Sequence, residues 1–119
     1  MSIAVIDQGA ELFWFVSNAL LQDELPLKHL ISISAGENYI LQELPKIVII
    51  SGDDSSINAE KFIGKIRNHV FARNTLFIVV TSASSLEYKK SLMLAGAGQI
   101  LYRGKGYNPS PKFLRNLVK

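Results

Sequence analysis

Polar residues of the kinds that do chemistry stand directly after short apolar runs. Asp7-Gln8 follows Ser2 to Ile6, Ser51-Gly52-Asp53-Asp54 follows the β-branched run Ile47 to Ile50, Thr81-Ser82 closes the run from Thr75, and Arg103 follows Gln99 to Tyr102. The carboxylates of Asp7, Asp53 and Asp54 are hard oxygen donors, but a divalent cation of the Mg²⁺ type wants more of them than Asp7 supplies. No metal site is therefore expected, and Asp7 with Asp53 is the weak candidate pair. A serine hydroxyl such as that of Ser51 is a poor nucleophile without an adjacent base. Asp53 and Asp54 also read as a polar turn whose charges favour the N-terminus of a following helix, and Thr81 as a strand-end threonine capping a turn. Arg103 brings a positive charge on a planar fork. His29 and His69 lie far apart in sequence and make little case for a metal.

The elements that must hold these residues follow from the apolar spacing. Pro45 to Asp54 organises the chain: four consecutive β-branched apolar residues make a strand buried on both faces, the middle of a parallel sheet. In such sheets ligands gather at the carboxyl ends of the strands, so Ser51 to Asp54 is the first place to look for a site. Ser2 to Ile6 is an earlier strand. Glu11 to Gln22 then carries Leu12, Phe15, Val16, Ala19 and Leu20 at helical spacing, with Trp14 and Leu21 on the far side and Phe13 on the flank. Trp14 either covers a neighbouring loop or meets another chain.

Leu27 to Ile33 reads as the second strand, and Ser34-Ala35-Gly36-Glu37 has the spacing of a capping box opening a helix to Leu44. Ser55 and Ser56 offer caps for a helix to about Val70, with Ala59, Phe62, Ile63, Ile66 and Val70 on its buried side. Thr75 to Thr81 is the fourth strand, Leu86 to Leu94 a helix stopped by glycines, and Gln99 to Tyr102 the fifth strand. Ser110-Pro111 opens a last helix carrying Phe113, Leu114, Leu117 and Val118. Strand and helix alternate five times. Right-handed crossovers then leave the flavodoxin-like arrangement, an α/β fold with a doubly wound five-stranded parallel sheet in the order 2-1-3-4-5.

The 119 residues make one domain, with 48% hydrophobic and 19% charged residues and no cysteine. Disulfides and thiolate metal sites are excluded. No apolar run approaches the roughly 18 residues of a membrane span, and the N-terminus lacks a signal-peptide pattern, so the cytoplasm is the default. Net charge is only +3, but Lys89, Lys90, Arg103, Lys105, Lys112, Arg115 and Lys119 follow Tyr88 with no acid among them. That basic quarter is a solvated surface or a face for an acidic partner, anionic lipid or nucleic acid.

The strand-end residues, together with the run Ala95-Gly96-Ala97-Gly98-Gln99-Ile100-Leu101-Tyr102-Arg103, resemble the CheY-like receiver domains of two-component signalling over almost the whole chain. The resemblance implies a pocket at Asp7, Gln8, Ser51, Thr81 and Arg103, and one that is degenerate. Gln8 stands in place of one of two metal-binding acids, Ser51 in place of the phosphoacceptor aspartate, and Arg103 in place of a lysine. Gly104 replaces the usual proline and Ile100 the aromatic rotamer switch, while Asp7 and the switching hydroxyl of Thr81 remain. The expectation is a pseudo-receiver of 119 residues, not an enzyme and without a cofactor. It would be the N-terminal part of a longer protein whose output domain is a transcription regulator or a pilus-assembly ATPase. It would act by binding a protein partner, a second copy above all, and touch DNA only through the output domain. Two contact faces stand out: the basic one with Lys89, Lys90 and Lys105, and the first helix with Trp14 and Leu21. A small flavodoxin-like enzyme or cofactor binder is the alternative. Against it, Gln8-Gly9-Ala10-Glu11 lacks the hydroxyls a flavin phosphate would need, and no Gly-x-Gly-x-x-Gly follows a strand.

Overall fold

The three central strands of this chain are buried at nearly every position because helices cover both faces of the sheet there, whereas the edge strands carry polar residues such as Lys28, His29 and Gln99. The computed structural model describes residues 3–20, 26–54, 56–69, 74–83, 85–103 and 116. The elements run β1 (Ile3–Ile6), α1 (Glu11–Ala19), β2 (Leu27–Leu30), α2 (Ile33–Glu43), β3 (Ile47–Ser51), α3 (Ala59–Arg67), β4 (Leu76–Thr81), α4 (Leu86–Ala95) and β5 (Gln99–Tyr102). All pairings are parallel, and the sheet order is β2-β1-β3-β4-β5, as expected from the sequence.

The period of two along each strand splits the core into two layers. Ala4, Ile6, Val48, Ile50, Phe77 and Val79 face α2, α3 and α4, where Ile40, Phe62, Ile63, Ile66 and Leu92 meet them. Ile3, Val5, Ile47, Ile49, Ile78, Val80 and Leu101 face the other way, onto Leu12, Val16 and Ala19 of α1 and Leu20 just after it. Among the described residues nothing polar interrupts either layer, since the buried polar residues Ser51, Thr75 and Thr81 all sit at or beside strand ends. Among the described residues no helix is long and apolar enough to cross a membrane.

Several boundaries differ from the sequence expectation. The second strand ends at Leu30 instead of Ile33, and Ile31 is 61% exposed. The capping box at Ser34 is not used: Ser32 is the cap, its hydroxyl accepting from the Ala35 N–H at 3.1 Å. Gly36 lies against Ile6 so closely that a Cβ there would sit 2.8 Å from Cδ1. Glu37, freed from capping, pairs with Lys65 of α3 at 3.0 Å.

The third helix likewise begins later than Ser56. Asn58 is its cap, accepting from the Lys61 N–H at 3.0 Å, while Ser56 turns back to Asp54. Burial of Ile57 pins the chain just before the cap, so the helix cannot start sooner. The first helix ends at Ala19, short of Gln22, and the third at Arg67, short of Val70. Leu21, Ser55, Val70, Gly104, Lys105 and the expected last helix from Pro111 with Lys112, Arg115 and Lys119 lie outside the described residues.

Candidate functional site at the strand ends

Parallel pairing brings the residues after β1, β3, β4 and β5 to one edge of the sheet, where Asp7, Gln8, Glu11, Ser51, Asp53, Asp54 and Arg103, with Gly9 and Ala10, line an open cleft of about 280 Å³. All five residues of the expected pocket are at this edge. Thr81 stands beneath it, fully buried.

The two aspartates after β3 divide their work. Asp53 turns towards β4: the Thr81 hydroxyl donates to its Oδ1 at 2.7 Å, and the Ser82 N–H lies 2.9 Å from both carboxylate oxygens. The Thr81 hydroxyl in turn accepts from the Ala83 N–H at 3.1 Å, so both of its roles are filled. Asp54 turns the opposite way, towards β1, and accepts from the Gln8 N–H at 2.7 Å and from the Ser56 N–H and hydroxyl. Just before the two aspartates the chain lies close on β4, which is possible because Gly52 has no side chain. A Cβ there would be 2.9 Å from Thr81 and from Val79. Its N–H donates to the Val80 carbonyl at 2.8 Å, which holds the loop down on β4.

Charge at the cleft is uneven. Burial is the largest influence on Asp7 and, joined by the nearby charge of Asp54, lifts its carboxyl above the ordinary 3.8 despite the opposing N–H groups of Leu12 and Gly9. For Asp54 desolvation also acts upward, but the Ser56 hydroxyl, the N–H groups of Gln8 and Ser56 and the Asp7 side chain outweigh it and hold the group below 3.8. The two carboxyls thus lean on each other, Asp7 the more readily protonated of the pair.

Ser51 is 7% exposed, and its hydroxyl accepts from the Asp53 N–H at 3.3 Å. Among the described residues no base is in hydrogen-bond contact with it, so the hydroxyl shapes the turn and has nothing to activate it as a nucleophile. Arg103 donates through its backbone N–H to the Thr81 carbonyl at 2.8 Å, while its guanidinium pairs with Glu11 at the start of α1. Its charge is thereby spent across the mouth of the cleft. Among the described residues no group of three or more His, Asp or Glu side chains could hold a metal. Asp53 is taken up by β4, and Asp54 by Gln8 and Ser56.

Two further residues support this edge without having been singled out from the sequence. His29 of β2 places Nε2 at 3.0 Å from the carbonyls of both Asp7 and Gly9, so that nitrogen carries the proton and donates, and its ring stacks on Phe13 at 4.9 Å. Tyr88 of α4 donates its hydroxyl to the Gly52 carbonyl at 3.1 Å. Burial, then the charges of Asp53 and Glu60, push that phenol above 10. The alternation in β2 could have pointed His29 at the loop; nothing in the sequence places Tyr88 over Gly52. Ile100, at the position of the expected aromatic switch, is half-buried against the α-helical side of the sheet.

No protein-family model matches the chain, and no curated protein matches it in sequence. Solved structures do match. A two-component response regulator from Clostridium difficile superposes with a TM-score of 0.85 at 13% identity, over 100% of this chain and 93% of that one. A chemotaxis response regulator of Vibrio cholerae gives 0.82 at 16% identity, over 98% and 94%. The receiver domain of a DNA binding response regulator from Colwellia psychrerythraea gives 0.80 at 18% identity, over 99% and 98%. This chain has the CheY-like receiver fold. On the receiver fold Ser51 closes the third strand, Thr81 the fourth, and Arg103 follows the fifth. The surface residues of the two expected contact faces are more dispersed. Trp14 is 63% exposed on α1, Lys89 is half-buried and Lys90 exposed on α4.

Proposed function

We propose that this chain is a phosphorylation-independent pseudo-receiver, a regulatory module of the cytoplasm that works by binding another protein and above all a second copy of itself. The observation that carries the reading is the Asp53 carboxylate on the Thr81 hydroxyl and the Ser82 N–H. The hydroxyl to which the resemblance gives the switching role is already engaged by an anion of its own chain. No phosphate need arrive to engage it. Ser51 at the end of β3, buried and without a base, supports the same reading, as does an arginine whose charge is committed to Glu11. The module is not an enzyme in this reading. It would be joined to an output domain, a transcription regulator or a pilus-assembly ATPase, and DNA would be reached only through that domain.

Intact mass after incubation with acetyl phosphate and Mg²⁺ tests the proposal. The expected result is an unchanged mass, with Mg²⁺ binding weakly in calorimetry. A stoichiometric adduct, stable to acid and labile to alkali, would overturn it.

A further inference from the structure

The fourth helix is poorly explained by the folding of this chain alone. It buries one large side chain, Leu92, and leaves Leu86, Met93 and Leu94 at 66%, 55% and 89% exposure. At roughly 100° per residue Leu86 and Met93 lie on the side of α4 away from α3, and of the three it is Leu94 that reaches the α3 side. Leu94 stands at the rim of a groove of about 550 Å³ between α3 and α4, whose floor is Gly64, Ser91 and Ala95.

Gly64 is the second anomaly. It lies in the interior of α3, where glycine is worse than alanine, yet an added Cβ would meet nothing within 4 Å. Packing within the chain gives no reason for it. A hole without an internal occupant faces a knob without an internal hole.

Charge decides the occupant. The groove's rim carries Glu60 and Lys61, adjacent and of opposite sign, and among the described residues neither is in an ion pair. A patch with both signs is self-complementary: a two-fold axis can set each Glu60 against the partner copy's lysine and each Leu94 into the other's hole. The basic side of α4 lacks this property, since Lys89 would face Lys89. At roughly 100° per residue, Lys89 points away from the groove and Lys90 stands beside Leu94. We infer that the α3–α4 groove is the surface through which two copies of this chain associate, Leu94 of each seated over Gly64 of the other. The inference rests on the self-association reading above and adds its place.

Sedimentation of the whole chain over a concentration series tests it, with Leu94→Lys, Gly64→Gln, Lys89→Glu and Trp14→Ala as variants. The parent chain is expected to pass from monomer to dimer. Leu94→Lys and Gly64→Gln should each weaken dimerisation about tenfold or more, and Lys89→Glu and Trp14→Ala less than about threefold. Thermal unfolding separates misfolding from a lost contact, because glutamine at 64 enters open space on a helix and should leave the midpoint unchanged or raised. Glu60→Lys alone should weaken the dimer, and Glu60→Lys with Lys61→Glu should restore it. A dimer that survives both groove variants, or that the charge swap does not restore, overturns the placement while leaving self-association intact. A parent chain that stays monomeric at every concentration overturns self-association as well.

Discussion

The buried hydroxyl of Thr81 donates to Asp53 and accepts from the Ala83 N–H, and so ties the turn after β3 to the end of β4. Asp53→Ala should lower the unfolding free energy by about 1–3 kcal/mol, the usual cost of stranding a buried donor. Thr81→Val made in that background should then cost little more, and equilibrium denaturation of the two variants checks the non-additivity. Asp7 supplies a prediction with a sign. A carboxyl raised by folding contributes stability that is present below the ordinary 3.8 and lost as pH rises through its raised native value. Asp54, lowered by folding, does the reverse: its contribution is present above 3.8 and lost as pH falls through its native value. Asp7→Asn should therefore stabilise the fold at neutral pH, and the gain should shrink towards zero at about pH 3, where both states protonate Asp7. Urea titrations at the two pH values measure it. The location of the cleft was legible because strand-end polar residues are conspicuous after apolar runs. Which aspartate turns which way was not, because Asp53 and Asp54 are adjacent and only the partners on β1 and β4 decide between them.

At the scale of elements, the hydrophobic period specified the five strands and the first four helices, while the caps expected for α2 and α3 were misplaced. Serines at 34, 55 and 56 have the right chemistry, but Ser32 and Asn58 hold the positions that packing leaves available. For α3 the reason is tertiary, because Ile57 is buried before the helix begins. Asn58→Ala should cost about 1 kcal/mol of stability through the lost cap, whereas Ser34→Ala should be close to neutral; thermal denaturation of both tests the assignment. Tyr88 and His29 were illegible for the same reason as the caps. Each is defined by a backbone carbonyl that another element brings within reach.

For the molecule as a whole, the fold was readable from alternation and handedness alone, because a chain with five buried strands and connecting helices has few ways to close. Its single tryptophan gives a probe of assembly that needs no mutation. Trp14 is 63% exposed on α1, away from the α3–α4 groove, so iodide should quench its fluorescence equally in monomer and dimer. Protection on association would move the interface to α1. The sheet order also has a bearing on how the chain leaves the ribosome. β1 is made first yet lies between β2 and β3, so the first 51 residues carry a complete three-stranded unit in which the oldest strand is already paired on both edges. β4 and β5 then each add to an exposed edge in the order of their synthesis. Growth from a finished nucleus spares the nascent chain an open internal slot, and in pulse-labelled refolding the amides of Val5 and Ile49 should gain protection no later than that of Leu101.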